Sequence, residues 1–127
     1  MTKESYFLLF ISIGVFPAAL GYGLNPKEFL PALYGIEVAD KNLSNIFRAV
    51  MGLYIGCVLL WVFGAFNKSL TVPALWCMFV FMLGIGLGRA LSLILDGMPD
   101  MIFVFFMIFE FVAAAITFYM LKQSASR

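Results

Sequence analysis

Four long apolar stretches, at residues 5–23, 42–66, 72–95 and 99–121, alternate with short segments that hold most of the charged residues. Each stretch is close to the roughly 20 residues that a helix needs to cross a bilayer. The pattern predicts an all-α fold, a four-helix transmembrane bundle with a half-buried loop between helices 1 and 2, as one integral membrane domain over residues 1–127. Lys3 precedes the first stretch as in a signal peptide, but the apolar run is too long for a typical signal core. It is read as a retained span. Pro17, well inside it, removes a backbone donor and is expected to kink the helix.

The connecting segments carry the punctuation of helix ends. Asn25-Pro26-Lys27-Glu28 reads as a helix start, with Asn25 as cap and Pro26 in the first turn, and Pro31 limits that turn. Phe29, Leu30, Leu33, Tyr34 and Ile36 are too apolar for a free loop, so this segment is expected in the interface or folded over the bundle. Asp40 or Asn42 can cap the second span. Pro73 sits in the first turn of the third, and Asp96-Gly97-Met98-Pro99 makes a tight turn. Asp100 suits the positive end of the fourth helix dipole, and the polar tail 122–127 is expected to be mobile.

Composition agrees with a lipid solvent. The chain is 64% hydrophobic and 12% charged, more apolar side chain than a soluble domain of this length can cover. The net charge of +1 and the absence of basic runs leave nothing to hold nucleic acid. Without histidine there is no His-ligated haem, no Glu-x-x-His di-metal site and no His base, so no cofactor or metal is expected. Cys57 and Cys77 stand alone in apolar surroundings without a C-x-x-C motif and read as buried, reduced packing residues. If both termini share a side, that side holds Lys3, Lys68, Lys122 and Arg127, against Lys27 and Lys41 opposite, which favours cytoplasmic termini.

Against this background three embedded charges stand out: Arg48, Arg89 and Glu110, one in each of the last three spans. Ionisable groups in hydrocarbon are costly and usually face the protein interior. At the rise of an α-helix, Arg48 lies about 9 Å below its helix start, Arg89 about 10 Å below Asp96 and Glu110 about 15 Å below Asp100. All three fall in the outer half of the membrane, where one shared pocket would satisfy them. Ser44 and Asn45 lie on the face of Arg48, and Ser92 and Asp96 on that of Arg89. Tyr54 and Tyr34 are hydroxyl donors nearby, and Asp96 is a possible partner for Arg89. Two arginines facing one deep glutamate leave a positive surplus suited to a polar or anionic headgroup. The structural alternative is that the arginines pair with Glu110 and Asp96 and fix helix register without a ligand.

Gly52 and Gly56, Gly84 and Gly88, and more weakly Gly14 and Ala18, are small-residue pairs at spacing four, expected to pack within the bundle. The fifteen Phe and eight Met fill core and meet lipid.

Several strings resemble the bacterial domain-of-unknown-function family 4345, small four-span membrane proteins similar in outline to the DoxX-like group. They are Leu33-Tyr34-Gly35-Ile36, the run from Asn42 to Tyr54 around Asn45-Ile46-Phe47-Arg48, and Gly88-Arg89 with Asp96-Gly97-Met98-Pro99, followed by Glu110. The resemblance implies a bacterial four-helix integral membrane protein, and the expected localisation is multi-pass in the bacterial inner membrane. It implies no activity, so no catalytic residue is carried over.

Three functions fit these readings. The favoured one is a polar pocket of the outer leaflet, built from Arg48, Arg89, Glu110, Asp96, Asn45, Ser92 and Tyr54, that binds a membrane lipid or other amphipathic small molecule. The alternatives are an accessory subunit of a homo-oligomer or larger membrane complex, and an intramembrane enzyme using Glu110 as acid or base.

Overall fold

The structure, a computed structural model, describes residues 1–126. Five helices follow in order: α1 (Lys3–Gly23), α2 (Pro26–Tyr34), α3 (Lys41–Phe66), α4 (Lys68–Asp96) and α5 (Met101–Ala125). No strand occurs among the described residues. α1, α3, α4 and α5 are long and apolar enough to cross a membrane, so the chain is an all-α bundle of four candidate spans.

Side-chain caps fix where the long helices start. Thr2 Oγ1 accepts from the Ser5 amide at 3.1 Å, and Asp40 rather than Asn42 caps α3, accepting from the Asn42 amide at 2.9 Å. Asn67 ends α3 and caps α4, where its Oδ1 accepts from the Ser69 amide at 3.0 Å. The two helices therefore turn on one residue. α4 begins at Lys68, not 72, and Pro73 lies in its second turn. α5 begins at Met101, just after Pro99 and Asp100, and continues to Ala125. The tail expected to be mobile is helical that far, held where Lys3 Nζ donates to Gln123 Oε1. Arg127 lies outside the described residues.

The segment expected as a half-buried loop contains α2. Pro26 occupies its first turn, but Asn25 does not cap through its side chain; Asn25 Nδ2 donates to Glu28 Oε2 instead. The helix passes through Pro31 and stops at Gly35, which adopts φ +68°. The Gly35 amide donates to the Pro31 carbonyl and the Ile36 amide to the Leu30 carbonyl, the paired bonds of a left-handed helix stop. Leu30 is fully buried beneath α2, with Tyr22 and Val38.

The long helices pack in sequence: α1 on α3, α3 on α4, α4 on α5. No extended seam joins α5 back to α1. They meet near the termini, where Lys3 bonds Gln123 and lies over the Tyr119 ring. The main core sits in the terminal half, around Trp61, Leu8, Leu75, Met78 and Met82.

Close backbone approach does not occur at the expected glycine pairs. Gly14, Gly52, Gly56, Gly84 and Gly88 all have open space where a Cβ would stand. The tight contacts are at Gly64, where a Cβ would come within 2.4 Å of the Ala74 Cβ, and at Gly23, where it would meet the Met51 Cβ at 2.4 Å. Spacing of four marks one face of a helix but not which way it points, and here both G-x-x-x-G faces look outward.

Candidate functional site

Two of the three embedded charges meet. Arg89 of α4 and Glu110 of α5 form an ion pair, Nε to Oε1 at 2.8 Å, with side chains 21% and 10% exposed. The α4–α5 hairpin brings them together: each lies a few turns from the connection at residues 97–100. Pairing removes the penalty either charge would carry alone in an apolar setting. It uses one guanidinium nitrogen and one carboxylate oxygen, while arginine has five donors and a carboxylate about four acceptor sites. The pair therefore retains capacity to bind both a donor and an acceptor.

Rings enclose this pair. The Arg89 guanidinium lies 5.5 Å from the Phe106 ring centre and 5.9 Å from that of Phe103. Tyr34 of α2 packs on Phe103 at 5.3 Å and on Tyr22 at 5.7 Å. Tyr22 meets Tyr54 edge-on at 5.7 Å, and Tyr54 meets Phe81 at 4.8 Å. This ladder ties α5, α2, α1, α3 and α4 around the charges. The Tyr22 hydroxyl also interacts with the guanidinium and with the Tyr34 hydroxyl. Burial, reinforced by Tyr22, raises the Tyr34 phenol above its ordinary range, against a smaller opposing effect of Arg89. Tyr34 thus stays a neutral donor.

Beside the pair lies a cavity of about 240 Å³. Arg89 and Glu110 line it together with Tyr22, Tyr54, Phe81, Met82 and Val15. Its remaining walls are Gly14 and Ala18 from α1, and Phe105, Phe106 and Phe109 from α5. These are the two helices that lack a seam, so the cavity opens sideways between them.

Of the other expected site residues, Tyr54 lines this cavity, Ser92 lines a second one with Arg89, and the rest are elsewhere. Arg48 is absent from this cavity; its Nη1 donates to the Gly23 carbonyl at 3.0 Å and the Leu24 carbonyl at 3.2 Å, at the end of α1. It supplies partners to carbonyls that a helix end leaves unpaired. The single pocket expected for Arg48, Arg89 and Glu110 is therefore divided. Asn45 and Ser44 line a polar surface groove with Arg48, and the Ser44 Oγ is buried without a hydrogen-bond partner. Asp96 does not pair with Arg89; it accepts from the Ser92 hydroxyl at 2.8 Å, and both residues are exposed.

Two groupings escaped the sequence reading. Tyr22 joins the ring ladder and the ion pair, and its flanking glycines, Gly21 and Gly23, were the available signal that helices crowd there. Cys57 and Cys77, both free and half-buried, interact through their thiols across α3 and α4. Each is ten residues from Asn67, so a one-residue turn sets them opposite one another. Among the described residues no cluster of three or more His, Cys, Asp or Glu side chains could hold a metal ion.

The chain belongs to the family described as Domain of unknown function (DUF4345), whose model matches residues 4–121. The matched region includes all five helices in whole or in greater part, and with them Arg48, Arg89, Asp96 and Glu110. No curated protein and no solved structure matches the chain. Family membership and the four apolar helices identify a small multi-pass membrane protein; they assign it no activity.

Proposed function

We propose that this protein binds an amphipathic small molecule within the membrane. The polar end of the ligand sits against Arg89 and Glu110, with Tyr54 and Tyr22 beside it, and the apolar part lies among Phe81, Phe105, Phe106 and Phe109. The observation that supports this reading is the cavity of about 240 Å³, which joins an ion pair to an aromatic lining and opens between two spans. Arg48, Asn45, Ser92 and Asp96 are outside the binding set in this reading, and Arg48 serves α1. With the termini cytoplasmic in a bacterial inner membrane, as the lysine bias favours, the pocket faces the outer leaflet. Mass spectrometry of protein extracted in mild detergent tests the reading. Wild type and Arg48→Gln should retain an amphiphile near one per chain, and Arg89→Gln should lose most of it with helicity unchanged by circular dichroism. A wild-type protein that carries none under gentle extraction counts against binding.

A second reading, an assembly subunit, draws on the outward faces of Gly52 and Gly56 and of Gly84 and Gly88. Sedimentation in lipid nanodiscs tests it: a single chain per particle at every loading ratio would remove it.

A further inference from the structure

We infer that the ligand is a single-chain amphiphile with an uncharged hydroxyl head, and that it enters sideways from the bilayer between α1 and α5. The inference rests on the binding reading above and narrows it. Charge balance gives the head. Arg89 is already matched by Glu110 at 2.8 Å, and Arg48, the second embedded cation, is committed to the carbonyls of Gly23 and Leu24. An anionic head would add an unmatched charge to a largely apolar cavity, and an ammonium head would do the same with opposite sign. A hydroxyl adds none. It donates and accepts, which suits a site that offers guanidinium donors and carboxylate acceptors together.

Volume gives the chain. About 240 Å³ is below the ~300–1,000 Å³ of pockets that enclose a drug-sized ligand. It accommodates a head and the first part of one chain. The rest of that chain must lie outside, and Phe105 and Phe109 of the cavity lining are exposed where α1 and α5 share no extended seam, which leaves an opening toward lipid. Gly14 and Ala18 form one edge of the opening, and Phe105 and Phe109 the other. A larger residue at 14 would stand in the path of the chain. A Cβ there meets no atom within 4 Å, so the bundle itself tolerates the addition.

The test uses the full chain in nanodiscs and two photoreactive probes with the diazirine in the same chain position: hexadecanol and hexadecanoate. Labelled residues are mapped by mass spectrometry. Hexadecanol should label α1 and α5 around Ala18 and Phe109, saturably, and at least fivefold more than hexadecanoate. Gly14→Leu should reduce that labelling about tenfold. Gly52→Leu makes the same change on an outward face of α3 with equally open space, and should leave it unchanged. Preferred labelling by hexadecanoate, lost in Arg89→Gln, would overturn the uncharged head while keeping the binding reading. Full labelling in Gly14→Leu would overturn entry between α1 and α5. Absence of saturable labelling by both probes would overturn the binding reading itself.

Discussion

The two halves of the bundle are built from the same kind of apolar helix and close differently. Toward the termini, α3 and α4 approach until Gly64 lies against Ala74, and Trp61 fills the centre with no exposed surface. Toward α2, the space between helices holds an ion pair, a ladder of rings and a cavity. Lipid gives apolar helices little reason to prefer one another, because the acyl chain is as apolar as leucine. Closure then depends on whether side chains allow the backbones to touch. Small residues at 64 and 74 do so for α3 and α4, and Gly23 does so for α1 and α3 at the other end; only between α1 and α5, where Arg89, Glu110 and the phenylalanines of α5 line the cavity, is no such contact made.

Truncating a large ring in each half gives the sharpest test of that difference. Trp61→Ala should cost about 3–5 kcal/mol, since a sealed core cannot collapse around the loss. Phe109→Ala removes a ring that is 38% exposed and faces the cavity. Lipid or ligand can refill that space, so its cost should be about 1 kcal/mol or less. Thermal unfolding in one detergent ranks the two, and equal costs would abolish the distinction between closed and open halves.

The ion pair should show the opposite dependence, with its energy held in a partner and not in volume. Arg89→Ala leaves Glu110 uncompensated and should cost about 3–5 kcal/mol. Adding Glu110→Gln should recover part of that cost, so the double variant is more stable than the two losses added. Simple additivity in the same unfolding assay would mean that the pair does not form.

Much of this architecture can be read from residue order. The spans follow from the length of the apolar runs; the opposition of Cys57 and Cys77 does not, because their equal distance from Asn67 matters only once the turn is known to be that one residue. The pairing of Arg89 with Glu110 follows in part from depth, because both lie below the same turn. Arg48 marks the limit of that reasoning. Distance along a helix does not tell which neighbour stands beside it, and the neighbour here is the end of α1, whose carbonyls bear no formal charge and escape a count of acids and bases. A count of two cations against one anion therefore overstates the positive surplus at the cavity. The same missing direction hides the outward faces of the glycine pairs. Pro31 misleads for another reason: α2 continues through it to Tyr34, and Gly35, not proline, supplies the stop.

Glycine substitutions separate the two kinds of surface at smaller cost. Gly64→Ala puts a Cβ 2.4 Å from that of Ala74 and 3.0 Å from the Leu70 carbonyl oxygen, so α3 and α4 must shift. Overpacking of this kind costs about 1–3 kcal/mol. Gly52→Ala meets nothing within 4 Å and gains helix propensity, so it should be neutral or stabilising by up to about 1 kcal/mol. Opposite signs are expected in the unfolding assay; destabilisation by both would mean that Gly52 also lies in a packed seam.

The smallest effect belongs to the arginine outside the cavity. Arg48 bonds two carbonyls at the negative end of α1, where a cation contributes about 0.3–2 kcal/mol depending on burial. Arg48→Gln keeps a donor of shorter reach and should cost about 1 kcal/mol. Hydrogen exchange should quicken at the last turn of α1 and the first of α2, because the same guanidinium holds the chain where one helix passes to the next. Amphiphile retention should not change. If retention falls in Arg48→Gln as far as in Arg89→Gln, with exchange at the end of α1 unaltered, the two arginines serve one binding site. The division between an arginine that ends a helix and one that faces the cavity would then be lost.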